Sequence, residues 1–204
     1  MRRLPSIAKQ HPMEFSDDLI ARSVSGDQKA REDLATVCLP RVWRTVYLTC
    51  GGGPDVDDIA QNALIDAFNG IGTFRGTGNF SAWLGRITVR AVYRHTRKRA
   101  FWSLIPSSDR LETEPDPYTP RPDQRTEERR IFASLARHLS NIKMKNRIAL
   151  VLSVVHGYSV AEIAAAEGCN VEAAKKRLQR GREELCQRLK KDPYLKEVLG
   201  EVGL

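Results

Sequence analysis

GYSVAEIAAAEGCNVEAAKKRLQRGR, residues 157–182, is the stretch on which the fold turns. Ser159 with Glu162 three positions on has the form of a capping box, in which hydroxyl and carboxylate each take one orphan backbone N–H. The spacing predicts a short helix through Ile163, Ala164 and Ala165, ended by Gly168 as the left-handed residue. Asn170 is a good cap for a second helix running on through Leu178 and Leu185. Two helices joined by a few residues that include glycine is the arrangement that lays a recognition helix in the DNA major groove. At about 100° per residue, Val171, Ala174, Leu178 and Leu185 share an apolar arc toward the first helix. Glu172, Ala173, Lys176 and Arg180 lie opposite, with Arg177 flanking them. Lys175 and Arg182 sit beside the core arc, with the reach to meet phosphates. Cations on the exposed arc suit guanine edges, and the flanking ones add sequence-independent attraction. A solvated amphipathic helix is the bland alternative. The capping box, the glycine turn and the cationic arc in combination favour DNA.

Upstream of this unit, Ile148, Leu150, Val151 and Leu152 predict one helix, and Ile131, Phe132, Leu135 and Leu139 predict another over roughly 129–140. Residues 101–128 hold five of the chain's ten prolines and read as a flexible acidic linker, able to span up to ~90 Å when extended. Residues 16–100 read as helices: Ser16 or Asp17 caps the first and Asp27 the second, with a kink or break expected at Pro40. Gly51-Gly52-Gly53-Pro54 is a breaker, and Asp55 opens DVDDIAQNALIDAF with acids where the helix dipole favours them. Residues 70–80 are a glycine-rich loop, and a long helix follows from Ser81 to about Lys98. Residues 1–15 form a loose arm and residues 191–204 a tail. The expected fold is therefore all-α: two small helical domains, 16–100 and 129–190, on a flexible acidic tether.

Charge follows the same division. The chain of 204 residues carries a formal +8, with 33 Lys and Arg against 25 Asp and Glu. Residues 1–100 have a net of +5, residues 101–128 a net of −4 and residues 129–204 a net of +7. Two basic blocks around an acidic strip suggest two polyanion-binding modules. Cys38, Cys50, Cys169 and Cys186 show neither paired nor zinc-ligand spacing, which points to small apolar residues in a reducing cytosol. With no signal-peptide core and no apolar run long enough to span a bilayer, the expectation is a cytoplasmic protein without membrane insertion. No nucleophile–base set, metal cluster or phosphate loop is visible, and His11, His95, His138 and His156 are scattered, so neither enzyme activity, metal nor cofactor is expected.

The helix after the glycine loop carries a second cationic face. Phe80, Leu84, Ile87 and Ala91 define its buried side, while Trp83, Arg86, Arg90, Tyr93, Arg94 and Arg97 fall in a neighbouring arc. Cations with aromatic rings among them suit single-stranded or opened DNA, each stacked base contributing ~1–3 kcal/mol. The adjoining loop adds Arg75, Asn79 and Phe80. Asp55, Asp57, Asp58, Gln61 and Asp66, by contrast, make one helix acidic inside a basic domain, which favours a protein partner over DNA.

These pieces resemble the bacterial RNA polymerase sigma factors of the extracytoplasmic-function (ECF) type. DVDDIAQNALIDAF resembles the family's core-polymerase-binding helix, through Asp57, Asp58, Gln61 and Phe68. FRGTGNFSAWLGRI resembles the loop and helix that capture and melt the −10 element, with Phe80, Trp83, Leu84 and Ile87 in register. GYSVAEIAAAEGCNVEAAKKRLQRGREEL resembles the helix-turn-helix that reads the −35 element. Departures fall at Leu64 (usually Phe), at Arg90 and Arg94 (usually Asn and Asp), and at Asn170, Glu172 and Ala173 (usually Pro, Gly and Thr). The resemblance implies an initiation factor whose partners are core RNA polymerase, promoter DNA and an anti-sigma factor. The rival reading, a dimeric helix-turn-helix regulator, leaves the Trp83 stripe and the acidic helix unexplained.

Overall fold

The computed structural model describes residues 15–74, 76, 79–103 and 126–192. Among these the chain is helical throughout. In order come α1 (Asp17–Val24), α2 (Gln28–Cys50), α3 (Val56–Gly70), a short 3-10 turn (Ile71–Thr73), α4 (Phe80–Ser103), α5 (Thr126–Ser140), α6 (Met144–His156), α7 (Val160–Glu167) and α8 (Val171–Leu189). The helix starts follow their caps. Ser16 accepts from the Leu19 N–H, Asp27 from Ala30, and Asn170 from Ala173 at 2.7 Å. The Ser159–Glu162 box is formed in both directions, and Gly168 ends α7 at φ 62°, a backbone conformation that glycine adopts without strain.

Three expectations are corrected. Helix α2 runs unbroken through Pro40. The ring removes the N–H that would serve the Thr36 carbonyl, but both residues are exposed, so the vacated acceptor faces solvent. Meanwhile Leu34, Cys38, Val42 and Val46, each at most 1% exposed, keep both halves of the helix in one core. Helix α5 begins at Thr126, inside the segment read as linker, and α4 continues past Lys98 to Ser103. Val171 is 54% exposed and does not join the arc of Ala174 and Leu178 that packs into the core. The arm 1–14, residues 104–125 and the tail 193–204 lie outside the described residues.

Two cores organise the chain. The first gathers apolar residues of α1, α2, α3 and α4 around Leu34, Val46, Ile59 and Leu84. The second is built on α6, α7 and α8 around Ile148, Leu152, Ile163 and Leu178, with Ala136 and Leu139 of α5. It also takes in Leu48 of α2 and Val89 of α4, 1% and 2% exposed. The two bundles therefore meet along a packed seam. Helix α4 lies in it with one apolar side toward each core: Phe80, Leu84 and Ala91 on one, Ala82, Val89 and Tyr93 on the other.

Candidate nucleic-acid interface

On α8 the fold presents the cationic side as the helical wheel suggests. Glu172, Lys175, Lys176, Arg180 and Arg182 are exposed, and Ala173 is half-buried beside the Asn170 cap. Glu172 and Lys176 form a loose pair at 3.8 Å, and Arg182 reaches the Ser153 hydroxyl at 3.5 Å. Arg177 differs from its neighbours. Its guanidinium pairs with Glu167 of α7, whose side chain is fully buried, and also contacts the Cys169 sulfur at 3.2 Å. Burial pushes the Glu167 carboxyl up, and the Arg177 charge opposes that shift. Arg177 thus fastens α8 to α7.

The aromatic–cationic set on α4 is divided by the fold. Arg86, Arg90, Arg94 and Arg97 are exposed along one side of the helix. Trp83 is half-buried against Phe74 and Phe80, with ring centroids at 5.7 and 5.3 Å. Phe80 is 5% exposed and also packs edge-on against Phe15 and Phe74. It is a core residue that supports Trp83, and its ring is not presented for stacking on a base. Arg94 pairs with Asp66 of α3 at 2.6 Å. Tyr93 turns toward the second core, where burial pushes its phenol up to about 12, with Glu167 adding to that shift and Arg177 opposing it. Asn79 caps the start of α4 through Ala82 and donates to the Glu162 carboxylate at 3.1 Å. Arg75 lies outside the described residues.

The acidic helix sorts into structural and free positions. Asp57 accepts from the Trp43 indole N–H at 2.7 Å, and Asp55 pairs with His95 at 3.2 Å. With Asp66 tied to Arg94, three of the five residues read as one acidic patch have partners on α2 or α4. Asp58 and Gln61 remain exposed on one side of α3, next to Asn62 and to Ile65, which is 56% exposed. Ile65 was not singled out by sequence reasoning. Its signal was available as an apolar residue at i+4 from Gln61 and i+7 from Asp58.

Among the described residues, no group of three or more His, Cys, Asp and Glu side chains is placed to hold a metal ion. No described helix is long and apolar enough to cross a membrane.

Comparison with known proteins agrees with this division. A model of sigma-70 region 2 matches residues 34–101, and a model of sigma-70 region 4 matches residues 135–185. The ECF RNA polymerase sigma factor SigE of Mycolicibacterium smegmatis is 29% identical over 91% of this chain and 74% of its own. SigM of Mycobacterium tuberculosis, another ECF sigma factor, is 30% identical over 86% of both chains. Among solved structures, CnrH in complex with the cytosolic domain of CnrY superposes with a TM-score of 0.60 at 26% identity, covering 86% of this chain and 97% of that one. The chain belongs to the ECF RNA polymerase sigma factors, the initiation factors that direct core RNA polymerase to promoters.

Proposed function

We propose a division of labour between the two bundles. The N-terminal unit, residues 16–100, docks on core RNA polymerase through the Asp58, Gln61 and Ile65 side of α3. Its α4 face, with Trp83, Arg86, Arg90 and Arg97, takes the opened −10 element. The C-terminal unit, residues 129–190, reads the −35 element as duplex, with Lys176 and Arg180 toward base edges and Lys175 and Arg182 toward phosphates. The segment between α4 and α5, residues 104–125, joins the two, so that placing one unit raises the effective concentration of the other. The protein carries out no catalytic step of its own and works in the cytoplasm, with the polymerase it serves. The structure of CnrH holds the cytosolic domain of CnrY, and this supports a second protein partner for this chain besides polymerase, for which an anti-sigma factor is our reading.

One observation carries the reading: two helices of one chain each present a row of exposed cations, one of them beside Trp83, and a third leaves Asp58, Gln61 and Ile65 exposed. The test is co-elution with bacterial core RNA polymerase by size exclusion, followed by transcription from promoter libraries. A stoichiometric complex that initiates at a discrete promoter set is expected. Failure to bind the polymerase of its own host, with a dimer eluting alone, would turn the reading to the dimeric regulator.

A further inference from the structure

We propose that Gln179 of α8 is a specificity-determining residue that selects adenine in the duplex read by this helix, and that Glu183 is the positioning residue that orients it. This inference rests on the −35 reading proposed above and adds to it a residue outside the cationic set.

The core decides which side of α8 faces outward. Ala174, Leu178 and Gly181 are buried. A Cβ on Gly181 would stand 2.7 Å from the Asn146 carbonyl oxygen, so α8 lies on α6 there at backbone distance. These contacts fix the rotation of the helix at the level of residues 178–181. At about 100° per residue, the direction opposite that core passes among Glu172, Lys176, Gln179, Arg180 and Glu183, all of them exposed. Gln179 stands about 60° from Lys176 around the axis and nearly one turn further along it. Ala173, placed on this side by sequence spacing, is half-buried. The outward row thus includes an amide that the spacing alone did not select.

That amide is held in one orientation. Gln179 Nε2 donates to Glu183 Oε1 at 2.9 Å, one turn on. A carboxylate only accepts, so the NH2 end must face Glu183. One N–H is used, and a second N–H and the carbonyl oxygen remain. A donor beside an acceptor is the complement of adenine in the major groove, where N7 accepts and the N6 amino group donates. Guanine presents two acceptors there, cytosine an amino donor alone, and thymine an acceptor beside a methyl group. None of these three satisfies both ends of the amide. Lys176 and Arg180 offer donors only and suit guanine. Gln179 is uncharged, so its contribution is base discrimination and not phosphate attraction. The competing account, a solvated pair four residues apart that only supports the helix, predicts no effect on base preference.

The full-length wild type and the variants Gln179→Ala, Gln179→Glu, Glu183→Ala and Glu183→Gln are each assembled with core RNA polymerase. Each complex then selects from duplexes randomised over the −35 element, at one salt concentration. Wild type is expected to prefer adenine at one position by about tenfold. Gln179→Ala should lose that preference, keep those at other positions and melt like wild type. Gln179→Glu offers acceptors only and should move the preference at the same position to cytosine. Glu183→Ala should weaken the adenine preference, and Glu183→Gln, which keeps an acceptor, should restore it. A purely structural Glu183 would change the Tm and leave the base preference alone. Adenine selection unchanged in Gln179→Ala would overturn the inference, as would a loss spread evenly over all positions. A position that responds to Gln179→Ala but carries another base in wild type would overturn the assignment to adenine. A wild type that selects no sequence would overturn the −35 reading itself and this inference with it, whereas selection that ignores Gln179 overturns the inference alone.

Discussion

Arg177 and Arg180 lie three positions apart on α8, and the fold gives them different work. Arg180 is exposed, so under the proposed function its truncation removes a DNA contact and little else. Arg177 neutralises Glu167, whose side chain is fully buried and whose Oε1 has no hydrogen-bond partner. Removing one partner of a buried pair strands the other charge, a loss on the order of 3 kcal/mol. Arg180→Ala should therefore weaken promoter binding by about 1–3 kcal/mol at an unchanged Tm. Arg177→Ala should lower the Tm first, and lose promoter affinity only as far as the α7–α8 unit loosens. Thermal unfolding beside promoter binding distinguishes the two. An Arg177→Ala protein that melts like wild type yet binds promoter poorly would return Arg177 to the reading face.

At the scale of the element, α3 shows how little of an acidic patch need be an interface. Asp57 and Asp66 are paired with Trp43 of α2 and Arg94 of α4, and the exposed side is left to Asp58, Gln61 and Ile65. Asp58→Lys with Gln61→Ala should weaken polymerase binding without changing the Tm. Ile65→Ala should weaken it by about 1–2 kcal/mol, as an apolar anchor does when it is buried by a partner. Asp66→Ala should change stability by about 0–1 kcal/mol, because its pair with Arg94 is exposed. Equal polymerase affinity in the Ile65 and wild-type proteins would remove Ile65 from the interface. The helix caps were legible in sequence, since Ser159, Glu162, Asp27 and Asn170 act within three residues of themselves. Helix α2 was not, because the burial that carries it past Pro40 comes from other helices. Nor was the role of Tyr93. A wheel places it among cations, and only the arrival of α7 turns that side of α4 into a second core face. Tyr158 and Ser81 are 77 positions apart, and no local pattern announces their contact.

Across the whole molecule, the seam joins the two bundles and places an ionisable group between them. Burial, with Arg41 and Arg44 adding to it, lowers the His156 imidazole to about 3. Unfolded, it takes a proton near 6.5. Between those values unfolding is coupled to proton uptake, so the stability owed to a neutral His156 is intact above about pH 6.5 and is lost as the pH falls. From pH 7 to pH 5 this one group should remove about 2 kcal/mol. Glu167 acts in the opposite sense, since burial raises its carboxyl and acid then favours the folded state. Comparison with His156→Gln isolates the histidine, because both proteins keep Glu167. In urea unfolding, wild type should lose about 2 kcal/mol more than His156→Gln between pH 7 and pH 5. Trp43 stacks near Phe132 of α5 across the seam, with ring centroids at 6.5 Å, and supplies a local probe. At pH 7 fluorescence and far-ultraviolet circular dichroism should give one coincident transition. At pH 5 the wild-type fluorescence change should precede the loss of helix, as the bundles part before either unfolds. Equal pH dependence in the two proteins would show that His156 does not set the acid response of the seam.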